Sequence, residues 1–196
     1  MSKVIGEAST EVQEQKTGLG FWLYLMTDCM LFATLFVTFV VLRNNIATGP
    51  SGHDIFQLPL VLVETLILLT SSFTCGLAIL AMKQRRTKVM ILLLGVTYAL
   101  GVAFLAIELH EFSSLVAEGH SWQQSAFLSG FFTLVGTHGA HILTGLVWLV
   151  ILVCVLVKRG LSEKLSRQFV LFSLFWHFLD LVWIFIFTIV YLLGVA

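Results

Sequence analysis

Five long apolar stretches dominate this chain and restrict what it can fold into. They cover residues 19–42, 58–82, 89–109, 127–157 and 169–193. Each is long enough to cross a hydrocarbon layer of ~30 Å as a helix that rises ~1.5 Å per residue. Backbone groups in lipid must be hydrogen-bonded within the chain, and an isolated apolar stretch achieves this as an α-helix. The sequence therefore predicts an all-α integral membrane bundle of five transmembrane helices.

Composition excludes a water-soluble domain and several kinds of cofactor site. Hydrophobic residues make up 58% of the chain and charged residues only 11%, against about 25% charged in typical soluble domains. The three cysteines all fall within apolar stretches and none belongs to a CxxC pair. The sequence therefore gives no basis for a disulfide framework, a structural zinc site or covalently attached c-type haem.

The basic residues indicate how the bundle is oriented. All 11 Lys and Arg residues except Arg43 lie in the N-terminal segment or in the connections that follow the second and fourth stretches. Because basic residues accumulate in cytoplasmic segments, we expect a cytoplasmic N-terminus and a periplasmic C-terminus. Residues 1–18 are polar with alternating charges and are predicted to form a disordered cytoplasmic tail. Residues 19–196 are predicted to form a single transmembrane domain.

Several polar or amphipathic side chains interrupt the apolar stretches. Ionisable groups are costly at membrane depth and are retained where a protein partner, water or a ligand satisfies them. The residues predicted to form an internal lipid-binding or structural polar site are Glu64, His138, His141, Trp176, His177, Asp180 and Trp183, with a supporting role for Asp28.

Each group also has a simpler interpretation. His177 and Asp180 are one turn apart, so they are suited to hydrogen bonds across a helix interface or, alternatively, to proton handling. His138 and His141 have ligand-like spacing, but a metal would need further ligands, and the small residues beside them favour close helix packing. Glu64 is a lone carboxyl that is either protonated or paired with a cation from elsewhere.

Four motifs carry a resemblance to a known family. They are Gly20-Phe21-Trp22-Leu23-Tyr24-Leu25-Met26 ahead of Asp28, Val63-Glu64-Thr65, the run from Gly136 to His141, and the run from Phe175 to Trp183. In this order, from about residue 18 to the C-terminus, the chain resembles subunit III of the haem–copper respiratory oxidases. The five-helix form and the run from Gly49 to Phe56 are most similar to the cytochrome bo-type ubiquinol oxidase branch.

The resemblance implies a supporting role in a proton-pumping terminal oxidase of the bacterial inner membrane. Such a complex couples ubiquinol oxidation to the reduction of oxygen to water, and its haem b, haem o or a, and copper belong to subunit I. This chain would have no catalytic, cofactor-binding or metal-binding residue of its own. It would stabilise subunit I, bind phospholipid and support sustained proton uptake. The implied partners are subunits I, II and IV and phospholipid, with no nucleic acid.

Two alternatives stay open on sequence alone. The chain resembles the equivalent subunit of cytochrome c oxidases and menaquinol oxidases as well, and the electron donor binds elsewhere in those complexes. A small proton-coupled transporter, from a different class of protein, would also place acids and histidines within its helices. That alternative predicts transport by the isolated protein, whereas an accessory subunit predicts none.

Overall fold

The computed structural model describes the backbone of residues 2–42, 58–117 and 126–192, and the side chains of residues 16–42, 59–117 and 126–192. Within these ranges the elements are α1 (Ser2–Leu42), α2 (Leu58–Lys83), α3 (Thr87–Ala117), α4 (Ala126–Arg159) and α5 (Glu163–Ile186), and α5 continues as a π-helix over Phe187–Leu192. All five helices contain a segment long and apolar enough to cross a membrane. The predicted five-helix membrane fold is confirmed. The motif at residues 49–56 lies outside the described residues.

Three helices extend well beyond their predicted ends, and one of them is α5, which begins at Glu163 instead of residue 169. Helix α1 begins at Ser2, whereas the sequence predicts a disordered tail as far as residue 18. Extending an existing helix adds a hydrogen bond per residue without a new nucleation cost, and Glu, Gln, Ala and Lys in this segment favour helix. Helix α3 continues to Ala117 instead of stopping at residue 109. The orientation of the bundle and its description as one domain stay predictions.

Short connections force two pairs of consecutive helices into antiparallel hairpins. Residues 84–86 join α2 to α3, and Arg85 adopts a positive φ of 56° in this turn. Gly160, with φ 73°, ends α4 and donates its backbone N–H to the Leu156 carbonyl at 2.9 Å. Ser162 then caps α5, because its hydroxyl accepts a hydrogen bond from the Leu165 N–H at 3.2 Å.

Helices α2, α3, α4 and α5 form a four-helix block. In this block α2 packs on α3 and α5, and α4 packs on the same two helices. Helix α1 lies outside the block against α4 and α5. The indole of Trp176 fills the interior opposite two glycines: a Cβ atom would lie 2.9 Å from Trp176 Cζ3 at Gly145 and 3.0 Å from Trp176 Cη2 at Gly101. Small residues on α3 and α4 thus allow the close packing that holds membrane helices together.

Candidate functional site

Three carboxyl groups meet inside the bundle where α2 packs on α3. Glu64 lies on α2, and Glu108 and Glu111 lie one turn apart on α3. The three are close enough to interact electrostatically. The exposed fraction is 0% for Glu64 and 2% for Glu108, and neither carboxyl has a hydrogen-bond partner among the described residues. We call Glu64, Glu108 and Glu111 the acid pocket.

Helix α4 closes one side of the acid pocket with a glycine. A Cβ atom added at Gly139 would lie 2.9 Å from Glu108 Oε1 and 3.0 Å from Glu108 Oε2. Such a distance is well inside van der Waals contact, so the Glu108 carboxyl occupies the space that a larger residue would fill. The Gly136 to His141 motif therefore contributes backbone as well as side chains to this site.

The π-helix at the end of α5 closes another side. Tyr191 lies on this π-helix, is fully buried, and faces Glu111 within hydrogen-bonding reach of its carboxyl. A π-helix changes the register of the side chains along the helix, and here Val190 and Tyr191 are both buried although they are adjacent in sequence. The acid pocket is thus surrounded by α2, α3, α4 and the end of α5.

His138 and Trp183 form an aromatic stack beside the pocket. Their ring centroids are 5.3 Å apart with an interplanar angle of 29°, and Phe104 meets the His138 ring edge-on at 6.0 Å. His138 is fully buried, and neither ring nitrogen has a hydrogen-bond partner within the described residues. The Trp183 indole N–H donates to Thr65 Oγ1 at 3.1 Å. Because Thr65 follows Glu64, this bond ties the stack to the acid pocket.

His141 and Asp28 lie apart from that pocket, at the contact between α4 and α1. His141 Nε2 is 3.7 Å from Asp28 Oδ2. His141 Nδ1 lies 2.7 Å from the Thr137 carbonyl oxygen, so Nδ1 carries a proton and Nε2 faces the carboxylate. The Phe32 ring packs against His141 at 5.2 Å. This pair therefore joins the outer helix α1 to the four-helix block.

Trp176, His177 and Asp180 form a third group, along the contact between α5 and α2. The Trp176 indole N–H donates to Ser71 Oγ at 3.1 Å. Ser72 Oγ lies 2.6 Å from His177 Nδ1 and also faces the Asp180 carboxyl. Asp180 is buried, whereas the His177 ring is exposed on the outside of the bundle. The eight predicted residues are therefore divided among three places in the fold.

Sequence reasoning missed several residues of these sites. Glu108, Glu111 and Gly139 complete the acid pocket, and Ser71 and Ser72 form hydrogen bonds with Trp176 and His177 of α5. One signal was present for the acids. Glu108 and Glu111 share a face of α3, and the tight α2–α3 hairpin places Glu64 at a similar distance from the turn.

The chemistry of this arrangement is hydrogen bonding and proton exchange by carboxyl and imidazole groups. Across residues 2–42, 58–117 and 126–192, no cluster of three or more His, Cys, Asp or Glu side chains is arranged to hold a metal ion. The three groups of polar residues instead lie at contacts between helices.

Comparison with known proteins decides the family. The family model for cytochrome c oxidase subunit III matches residues 2–195. The chain belongs to the cytochrome c oxidase subunit III family. Cytochrome bo(3) ubiquinol oxidase subunit 3 of Pseudomonas putida is 55% identical over 92% of this chain and 87% of that protein. Cytochrome c oxidase subunit 3 of Bacillus sp. PS3 is 46% identical over 97% of this chain and 92% of its own length.

A third relative of this subunit III chain is quinol oxidase subunit 3 of Bacillus subtilis, 46% identical over 91% of the chain and 87% of that protein. The family thus includes members named for both quinol and cytochrome c oxidases. The resemblance identified from the four motifs is confirmed at the level of the subunit III family.

Proposed function

We propose that the chain is the non-redox accessory subunit III of a bacterial ubiquinol oxidase of the bo(3) type. The observation that carries this proposal is the pattern of identity. The bo(3) subunits of Pseudomonas putida and Pseudomonas aeruginosa are 55% and 54% identical to the chain. The relatives named cytochrome c oxidase subunit 3 are 46% and 45% identical. Similarity is therefore greater to these two Pseudomonas bo(3) subunits than to the cytochrome c oxidase subunits, whereas two bo(3) subunits of Buchnera aphidicola, 45% and 42% identical, do not exceed the latter.

In this proposal the chain works beside subunits I, II and IV in the inner membrane, with its N-terminus in the cytoplasm. Subunit I holds haem b, haem o or a, and copper, and the complex couples ubiquinol oxidation to oxygen reduction and proton translocation. Helix α1 supports a role in lipid binding, since it carries a broad exposed apolar surface that includes Met26, Met30 and Val41. The bilayer core consists of acyl chains, which fit this surface as they fit the exposed apolar surfaces of the other helices.

The acid pocket supports a role in sustaining proton uptake. Buried carboxyl groups without hydrogen-bond partners destabilise a fold, by roughly 1–3 kcal/mol per polar group in mutational data. Groups retained at this cost are commonly functional. We assign Glu64 as the residue of the pocket that matters most, with His138 and Trp183 beside it and the polar residues farther along α5 in a supporting role.

The first test identifies the complex and its electron donor. The chain is tagged and purified in mild detergent, the reduced-minus-oxidised haem spectrum is recorded, and oxygen uptake is measured with ubiquinol and with reduced cytochrome c. We expect b- and o-type haem and uptake driven by ubiquinol. A preference for cytochrome c would assign the chain to a cytochrome c oxidase. A haem-free preparation that transports protons in vesicles would instead identify a transporter.

The second test concerns Glu64. Glu64→Gln keeps the shape of the side chain but removes its ability to exchange a proton. We expect the complex to assemble and to begin turnover normally, and then to lose activity faster than the wild type during continuous oxygen uptake. Glu163→Gln is the matched control, because Glu163 is an exposed carboxyl at the start of α5. Unchanged assembly, lipid content and sustained turnover in Glu64→Gln would refute the assignment.

A further inference from the structure

One face of α5 is open to the outside of the bundle between α1 and α2. Helix α5 packs on α1, α2 and α4, and its remaining face carries exposed residues spaced three or four apart, as one side of a helix requires. These residues are Val170, Leu174, His177, Leu181 and Ile184, and we call them the α5 strip. His177 is the polar member of an otherwise apolar surface.

His177 lies at the centre of the membrane-spanning segment. This segment covers Glu163–Leu192, so His177 is about 20 Å from each end at ~1.5 Å per residue. The centre of a hydrocarbon core that is ~30 Å thick is about 15 Å from the headgroups. An imidazole side chain is too short to reach them. At this depth neither water nor a lipid headgroup is available to the exposed ring.

Two polar atoms at this point have no hydrogen-bond partner among the described residues. His177 Nδ1 is bound to Ser72, but Nε2 makes no hydrogen bond with any described residue. The neighbouring Asp180 is only 9% exposed, and its Oδ1 also has no hydrogen-bond partner among those residues. Acyl chains offer no hydrogen bonds, so lipid contact would leave Nε2 unsatisfied in hydrocarbon.

The adjoining side of α2 is shaped for close approach. Ser72 and Gly76 face the His177 ring, and a Cβ atom built on Gly76 would still be 3.9 Å from His177 Nε2. Small residues at such positions allow another helix to come near, and serine, threonine, asparagine or glutamine side chains then bond across the contact. These groups donate and accept hydrogen bonds, so they match either tautomer of His177.

We propose that the α5 strip receives a transmembrane helix of another oxidase subunit, which presents a hydrogen-bonding side chain to His177 Nε2. This inference rests on the proposed function, because it requires the chain to work inside a complex. Residues of the same motif then have two roles: Trp176 and Asp180 hold α5 to α2, and His177 faces the partner.

Photo-crosslinking within the purified, active complex tests the contact. Leu181 is 52% exposed one turn from His177, and Leu181→p-benzoylphenylalanine places a photoreactive group on the strip without altering the polar residues. We expect mass spectrometry to find a crosslink to one transmembrane segment of another subunit. Ile151 on α4, 55% exposed, is the matched control position and should not give the same peptide.

Other outcomes overturn the inference in distinguishable ways. Lipid adducts alone, or a crosslink to a second copy of this chain, in a complex that still contains haem would overturn the docking proposal and leave the proposed function intact. A tagged preparation with no haem-bearing partner would overturn both. The same crosslinked peptide from Leu181 and Ile151 would show that the contact is not specific to the strip.

Substitutions of His177 supply an independent measurement that does not depend on crosslinking. His177→Leu removes the outward hydrogen bond, and we expect roughly threefold to tenfold faster loss of this subunit from the complex during detergent washing. His177→Gln, which keeps a hydrogen-bonding group, should restore retention. Ser72→Ala removes the internal bond but leaves Nε2 facing outwards, so it should retain the subunit. Equal losses in His177→Leu and Ser72→Ala would contradict the proposal.

Discussion

The acid pocket and the α5 strip both place polar groups inside the membrane. The pocket encloses its polar groups within the chain, whereas the strip exposes His177 on the outer surface of the bundle. Glu64 and Glu108 are sealed within the bundle and have no hydrogen-bond partner among the described residues. His177 is bound to Ser72 and yet opens to the outside. The pocket is therefore enclosed by the chain itself, whereas the strip needs a neighbouring subunit to cover it. Substitutions in the pocket should change the subunit itself, and those in the strip should change its attachment.

This difference also separates stability from activity. A sealed polar pocket lowers the stability of the chain that contains it, since an apolar filling of the same shape would avoid the burial of unpaired polar groups. Natural proteins commonly retain such costs at functional sites. The comparison therefore predicts that parts of the pocket are dispensable for folding and needed for turnover. Gly139 is the exception, because a larger residue there would occupy the space of the Glu108 carboxyl.

The largest effect is expected from replacing Gly139, the residue of α4 that closes one side of the acid pocket. Gly139→Ala would place a methyl group 2.9 Å from Glu108 Oε1, and Glu108 is only 2% exposed, so its carboxyl can move away only by displacing buried neighbours. We expect a loss of about 1–3 kcal/mol in the free energy of unfolding. Thermal unfolding of the purified complex measures it.

A matched control lies one turn away on the same helix. Gly136→Ala meets Phe112 Cε2 at an ordinary 3.7 Å, so it should be neutral or slightly stabilising, as alanine is in helices. The double variant with Glu108→Ala should recover much of the Gly139→Ala loss, because it restores space. Equal effects of Gly139→Ala and Gly136→Ala would show that Gly139 does not pack tightly against the Glu108 carboxyl.

A smaller effect on stability, but a clear one on activity, is expected at Glu108. Glu108→Met keeps the length of the side chain and removes both unpartnered oxygens from the interior. We expect the melting temperature of the complex to stay the same or to rise, since a buried polar group is exchanged for an apolar one of similar volume. Sustained oxygen uptake should fall severalfold. A drop of more than about 2 kcal/mol in stability would instead identify Glu108 as a structural residue.

The five helices were predictable because hydropathy alone decides which segments enter a membrane. The ends of the helices were less so. Helix α3 was expected to stop at residue 109, because the apolar stretch ends there, next to Glu108 and Glu111. The structure continues the helix to Ala117 and turns both acids inwards. Packing against α2 and α4 determines this, and hydropathy along one helix contains no information about its neighbours.

The candidate site was predictable residue by residue but not in its grouping. Glu64 and Asp180 stood out because carboxyl groups are rare in apolar segments, and both are buried. The grouping depends on which helices touch. Asp28 and His141 pair because α1 packs on α4, and periodicity does not reveal that contact. The need for glycine at position 139 depends on Glu108, a residue of another helix.

The bonds that position the aromatic motif should have intermediate effects. Trp183→Phe removes the indole N–H that donates to Thr65 at 3.1 Å while keeping an aromatic ring beside His138. A double-mutant cycle with Thr65→Val should give a coupling energy of about 0.6 kcal/mol and at most about 1.7 kcal/mol, the range of hydrogen bonds between membrane helices. Thermal unfolding of the four proteins measures it. A coupling energy near zero would show that this hydrogen bond does not stabilise the subunit.

The smallest effect is expected at Asp28, which lies outside both regions of the comparison. Its carboxyl is 3.7 Å from His141 Nε2 at the α1–α4 contact, which is longer than a hydrogen bond, so the pair should contribute less than the ~0.6 kcal/mol of a hydrogen bond between membrane helices. Asp28→Asn keeps the shape and an accepting oxygen, so the melting temperature and sustained turnover of the complex should change little. If Asp28→Asn reduced sustained oxygen uptake as strongly as Glu108→Met, the residues that sustain turnover would include the α1 edge. The acid pocket would then not be a separate functional site of the subunit.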